Sequence, residues 1–119
     1  MDRVQKIFHK GKTIVLVDVS NCKPEETIPL MEQAEKLIAS FPPKQALILT
    51  DVVGAQYNKS VADRMKEFSK HNTPYVLASA AVGAAGVQLV LLQTLIFLTR
   101  REIKIFSTRA EALEWLVLQ

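Results

Sequence analysis

Three sets of side chains in this sequence have the chemistry for a site: two aspartates that close apolar runs, a serine that opens an amphipathic stretch, and a lone cysteine with two histidines. Asp18 ends the run Thr13-Ile-Val-Leu-Val-Asp18, and Asp51 ends Gln45-Ala-Leu-Ile-Leu-Thr-Asp51. Such carboxylates suit a phosphoryl-accepting pocket, or they fix a loop by accepting its N–H groups. The pocket needs a second acid beside Asp18 and a lysine after the last strand. Val17 and Val19 flank Asp18, and Ser107-Thr108 follows Phe106, so that reading is rejected. Ser60, after the loop Val52-Val-Gly-Ala-Gln-Tyr-Asn-Lys59, is expected to cap a helix. A phosphate on Ser60 is the alternative use, because helix N–H groups and the dipole stabilise negative charge.

Cys22, His9 and His71 offer a nucleophile and a base, but no motif orients them, and a surface or half-buried thiol is expected. Their scatter lacks metal-ligand spacing, so no metal is expected. Val82-Gly-Ala-Ala-Gly-Val87 lacks the Lys-Ser/Thr of a P-loop and the third glycine of a dinucleotide fingerprint. It reads as a tight strand-to-helix turn, and no cofactor is expected.

The elements that must position these residues follow from hydrophobic period. The run ending at Asp51 is continuously apolar, as in a strand buried on both faces. Strand end, loop and helix start form the crevice where open α/β sheets carry their sites. Val4-Gln-Lys-Ile-Phe8 and the run ending at Asp18 flank Gly11, which predicts an antiparallel hairpin. Pro24, Pro29 and Glu25-Glu26 mark a helix start, with the helix proper near Thr27. Ile28, Met31, Ala34, Ile38 and Phe41 would form its buried face, and Pro42-Pro43 stop it. Val61, Met65 and Phe68 face inward from the next helix, which ends at Asn72-Thr-Pro74.

A strand over 75–80 then leads to a helix over 87–98 whose apolar surface only Gln88, Gln93 and Thr94 interrupt, so burial almost all round is expected. Arg100-Arg101 would sit at its negative end. A strand over 102–106 and the capping box Thr108-Arg-Ala-Glu111 complete the chain, with Ala110, Leu113, Leu116 and Val117 lining the final helix. The order is ββαβαβαβα: a single α/β domain over 1–119, a mixed five-stranded sheet with four helices.

Composition narrows the function classes. At 119 residues and 49% hydrophobic, the chain can bury a core without disulfides or metals. The net charge of +3 is mild, with no basic run beyond Arg100-Arg101, so nucleic acid is not implied. One cysteine and an N-terminus without an apolar leader predict the reducing cytoplasm. Residues 73–99 form 27 uncharged positions, long enough to span a bilayer. Pro74, the two glycines and the two glutamines argue instead for strand, turn and helix, so no membrane span is expected.

The element order, together with Ile103-Lys-Ile-Phe-Ser-Thr-Arg-Ala-Glu-Ala-Leu-Glu-Trp-Leu116 and Ile14-Val-Leu-Val-Asp18, resembles the SpoIIAA-like branch of the STAS superfamily, named for sulfate transporters and anti-sigma factor antagonists. In those antagonists a strand end carries Asp-Ser-Ser-Gly and the phosphorylated serine starts a helix. Here Asp51 holds the strand end, Val52-Val53-Gly54 follows, and Ser60 is the serine at the helix start. The resemblance implies a non-enzymatic regulatory module acting by protein–protein contact, anti-sigma factor antagonist-like, through Asp51, Gly54, Tyr57, Asn58 and Ser60, with Ser60 as phosphosite. The related Sec14-type domains imply the alternative, a binder of an apolar small molecule or lipid between the apolar helix and the sheet. From the residues alone, Leu89, Val90, Leu92, Ile96 and Phe97 are expected to divide between core and a homodimer or ligand interface, with deeper burial under the Trp115 helix as the other outcome.

Overall fold

The computed structural model describes residues 2–99 and 103–119, so the expected roles of Arg100-Arg101 and Glu102 lie outside the described residues. Nine elements follow one another: β1 (Val4–His9), β2 (Lys12–Asp18), α1 (Pro24–Ile38), β3 (Ala46–Asp51), α2 (Lys59–Asn72), β4 (Val76–Val82), α3 (Val87–Thr99), β5 (Ile103–Phe106) and α4 (Arg109–Leu116). The expected ββαβαβαβα order is the observed one. The strands form one sheet in the order β1-β2-β3-β4-β5. β1 and β2 pair antiparallel, with His9 opposite Lys12 across a two-residue turn. Both turn residues, Lys10 and Gly11, have positive φ, as a tight hairpin with the sheet's own twist requires.

From β2 onward every pairing is parallel. Strand order therefore advances in one direction, and right-handed crossovers place α1, α2 and α3 on the same face. Val15, Val17 and Ile48 point to that face and pack with Ala34 and Ile38 of α1. Their alternates Ile14, Leu16, Leu47 and Leu49 point the other way, where Ala112 and Leu116 of α4 meet them. β3 is buried on both faces because it lies at the centre, which is why its sequence runs apolar rather than alternating.

Local differences from the sequence reading have local causes. α1 starts at Pro24, three residues before Thr27. Proline needs no N–H at the first helical position, and the Glu26 carboxylate accepts the Lys23 N–H at 3.0 Å. Pro29 is tolerated further in because it lies on the solvent side. Thr27, rather than Ile28, joins Met31, Ala34 and Ile38 on the buried face. In α4 the buried alanine is Ala112, and Ala110 is exposed. Thr108 caps α4 as expected, accepting the Glu111 N–H at 3.2 Å. Trp115 stacks at a tilt on Phe106, ring centres 5.8 Å apart.

α1 and α2 are tied by a two-pronged ion pair, Arg64 Nη1 and Nη2 each 2.7 Å from a Glu35 oxygen. The hydrogen bonds from Arg64 hold the Glu35 carboxyl below the usual glutamate range. Both side chains are 16% exposed, so a lone partner would be left poorly solvated. Glu35→Ala is expected to cost about 2 kcal/mol in urea unfolding. Because the folded value is depressed, this contribution is full above about 4.5, the ordinary value, and is lost as pH falls through the folded value. The stability gap between wild type and variant should therefore close in acid.

Candidate functional site

The C-terminal ends of the parallel strands open onto three turns, residues 19–23, 52–58 and 83–86. Asp18 and Asp51 end adjacent strands and are partners in register. Sequence reasoning rejected a paired-acid pocket for want of a second acid and a lysine. The structure does bring the two carboxylates side by side, but it fills the space between them with Arg109. Its Nε donates to Asp51 Oδ2 at 2.7 Å and its Nη2 lies 3.2 Å from Asp18 Oδ2. Each aspartate then uses its other oxygen on the loop that follows its own strand. Asp18 Oδ1 accepts the Ser20 N–H at 3.0 Å and the Ser20 hydroxyl at 2.6 Å. Asp51 Oδ1 accepts the Val53 N–H at 3.1 Å.

One guanidinium thus clasps both loops through two carboxylates. Burial pushes the Asp18 carboxyl up, but the Ser20 hydrogen bonds and Arg109 outweigh it and hold it below the usual range. Asp51 is 6% exposed with both oxygens engaged, so it positions the loop from beneath. Arg109 went unread in the sequence. The capping threonine before it was the available signal, since it places the next residue at the start of a helix directly after β5. Among the described residues no group of three potential metal-ligating side chains forms.

The two loops also grip one another. Asn21 N–H donates to Val53 O at 2.8 Å and Gln56 N–H to Cys22 O at 2.9 Å. Gly54 has φ +67°, and a Cβ there would stand 2.2 Å from Asn21 Oδ1. Cys22, expected at or near the surface, is 1% exposed beneath this contact, and burial raises its thiol above the ordinary value. Beyond the loop, Asn58 rather than Ser60 caps α2, its Oδ1 accepting the Val61 N–H at 2.9 Å. Ser60 falls at the second helical position, exposed. Tyr57 is half-buried, and desolvation pushes its phenol up to about 12.

α3 corrects the expectation of burial almost all round. It lies beside α2 on the sheet's outer flank. Leu92 is 4% exposed and Leu89 and Ile96 are half-buried, but Val90 is 61% and Phe97 82% exposed. The outcome of deeper burial under the Trp115 helix is excluded as well, because α4 packs on the opposite face of the sheet. Gln88, read as a polar interruption, is the helix's anchor. It is buried, and its Nε2 donates to Val52 O at 3.0 Å and Ala55 O at 2.6 Å. No helix among the described residues is long and apolar enough to cross a membrane.

Between the sheet and α1, α2 and α3 lies an apolar cavity of about 60 Å³. An engineered void of about 150 Å³ takes benzene. The space as it stands does not hold a lipid chain.

These features place the chain in a known class of architecture. The STAS-type fold expected from the sequence is the observed one: the chain is similar to an anti-sigma-factor antagonist (STAS) domain protein from Planctomyces limnophilus, TM-score 0.65, over 96% of this chain and 97% of that one. Identity over the match is 13%, so the likeness is one of fold. The sequence matches no family model and no curated protein.

Removing the clasp leaves Asp51 without its cation and leaves Asp18 only the longer contact with Arg3, 3.6 Å from its Oδ1. Arg109→Ala is expected to lower stability by roughly 1–2 kcal/mol. It should also speed amide exchange at Ser20 and Val53, with Lys at 109 restoring part of the protection. Gly54→Ala is expected to destabilise by at least about 1 kcal/mol, since it meets both the positive φ and the Asn21 amide.

Proposed function

We propose that this chain is a non-enzymatic regulatory module of the STAS type that works by protein–protein contact, in the manner of an anti-sigma-factor antagonist. The contact surface is the loop 52–58, the first turn of α2 and the outer face of α3. The observation that carries this reading is the apolar outer face of α3. Val87 and Val90 are 69% and 61% exposed on a helix without a single charge, beside a loop that exposes Val53. Gly54, Tyr57, Val87 and Gln88 line one open groove, so loop and helix present a continuous surface. Monomeric proteins keep such patches small, and larger ones mark binding sites. Gly54, Asn58 and Ser60 are exposed for contact, and Asp51 acts by holding the loop.

Phosphorylation of Ser60 is the modification that fits this surface. The added charge would sit in the first turn of α2, where the dipole favours it, at the edge of the contact. The reduced, buried Cys22 suits the cytoplasm as the place of action. A homodimer is the form this contact takes if the partner is a second copy.

A pull-down from the native host is expected to recover one protein partner with wild type and to lose it with Val90→Glu. Stability should stay within about 0.5 kcal/mol, because the side chain is exposed. Partner capture undiminished by the variant would sink the surface. Light scattering on the eluting protein separates the two occupants: a dimer that Val90→Glu dissolves means a second copy, and a monomer means a foreign protein. Ser60→Asp is expected to weaken capture at least fivefold while Ser60→Ala leaves it unchanged, and equal capture by both would remove the phosphosite.

A further inference from the structure

The cavity under the contact loop carries a second inference, which needs no partner. Its wall is mostly apolar, with Val17 and Ile48 of the sheet, Met31 of α1, Met65 and Phe68 of α2, and Leu92 of α3, while Thr50 and Ser79 of the sheet, Thr27 of α1 and Ser69 of α2 add hydroxyl groups. A void of about 60 Å³ with so largely apolar a wall is large enough for several waters by volume but gives them few groups to bond. Apolar cavities of this kind stay dry and accept apolar guests. Met31 and Met65 are the only methionines after the first residue, and both line the void. Unbranched thioethers repack readily around irregular shapes, so the space can grow beyond its resting volume.

The same loop that closes the groove outside closes the cavity inside. Tyr57 borders both the cavity and the open groove formed with Gly54, Gly83 and Val87. The backbone around it is fixed. Gln88 holds Ala55 O, Cys22 O holds the Gln56 N–H, and Asn58 caps α2. What is left to move is the Tyr57 side chain. Burial raises its phenol above the ordinary value.

We propose that this cavity is a binding site for one small apolar molecule, from a short alkyl group up to a single aromatic ring, and that the Tyr57 side chain is its gate. The guest enters from the loop groove when the ring rotates outward, and Met31 and Met65 shift to fit it. Occupancy then braces Tyr57 from within, directly beneath the surface assigned to the protein partner. That last step rests on the partner reading, whereas binding itself does not.

Xenon under pressure and benzene in solution are the probes, with methyl-labelled methionine observed by NMR on the full chain. Saturable shifts at Met31 and Met65 with either probe are expected. Ala81→Val, which puts two more carbons into the wall, should weaken them at least tenfold. Tyr57→Ala should speed guest exchange at least tenfold, and the melting temperature of both variants checks that they fold. Absence of saturable shifts with both probes, or equal binding in wild type and Ala81→Val, overturns the site. Unchanged exchange in Tyr57→Ala overturns the gate. Neither outcome touches partner capture, so the two readings fail separately.

Discussion

A parallel sheet whose strands advance steadily in one direction can send its right-handed crossovers to only one side. Here β2 to β5 do so, and α1, α2 and α3 all cover a single face. The other face of β3 and β4 still needs a cover, because a central strand cannot leave one apolar side in water. Only the chain after β5 is free to supply it, and it does so with eight residues. Ala112 and Leu116, both fully buried, close the second core. The short final helix is therefore required by topology.

That requirement brings the site's positioning device with it. A helix that starts directly after the edge strand begins at the C-terminal rim of the sheet, where Asp18 and Asp51 end. Its first residue, Arg109, reaches both. Two carboxylates in register would otherwise repel, and a planar guanidinium with several donors is the side chain that satisfies both at once. Each aspartate then has an oxygen left for its own loop. The helix that covers the second core with Ala112 and Leu116 thus also shapes the contact loops, through its first residue. In the pair Glu35–Arg64 the same fork geometry joins two helices, with no loop attached.

What could be read from the sequence was whatever is local. The hairpin, the doubly buried β3 and the Thr108 cap are each written within a few neighbouring residues. The capping role assigned to Ser60 belongs to Asn58 because asparagine and serine are near equals as caps and only the loop's length decides between them. The clasp was not legible, since Arg109 meets Asp51 across 58 positions and no period or motif connects them. Cys22 was placed near the surface for a related reason. It is buried in the core cluster that also holds Val19, Ala34 and Val52, and the 52–58 loop bonds its carbonyl, contacts that its own neighbours do not record. The helix over 87–98 misled because burial is normally the cause of a uniformly apolar helix.

α3 is the case where composition and position disagree, and the disagreement is informative. On the sheet's flank it needs one inward stripe, which Leu92 and the half-buried Leu89 and Ile96 provide. Gln88 secures its start by hydrogen bonds to the loop, an interaction that is neither apolar nor strengthened by the outer face. Valine at 87 and 90 and phenylalanine at 97 add nothing to these attachments. Valine is also a poorer helix former than the charged residues that usually occupy an outer face. Neither packing among the described residues nor helix propensity accounts for them. Among the described residues nothing packs on Val87, Val90 and Phe97, and it is on this uncovered face that the proposed protein contact rests.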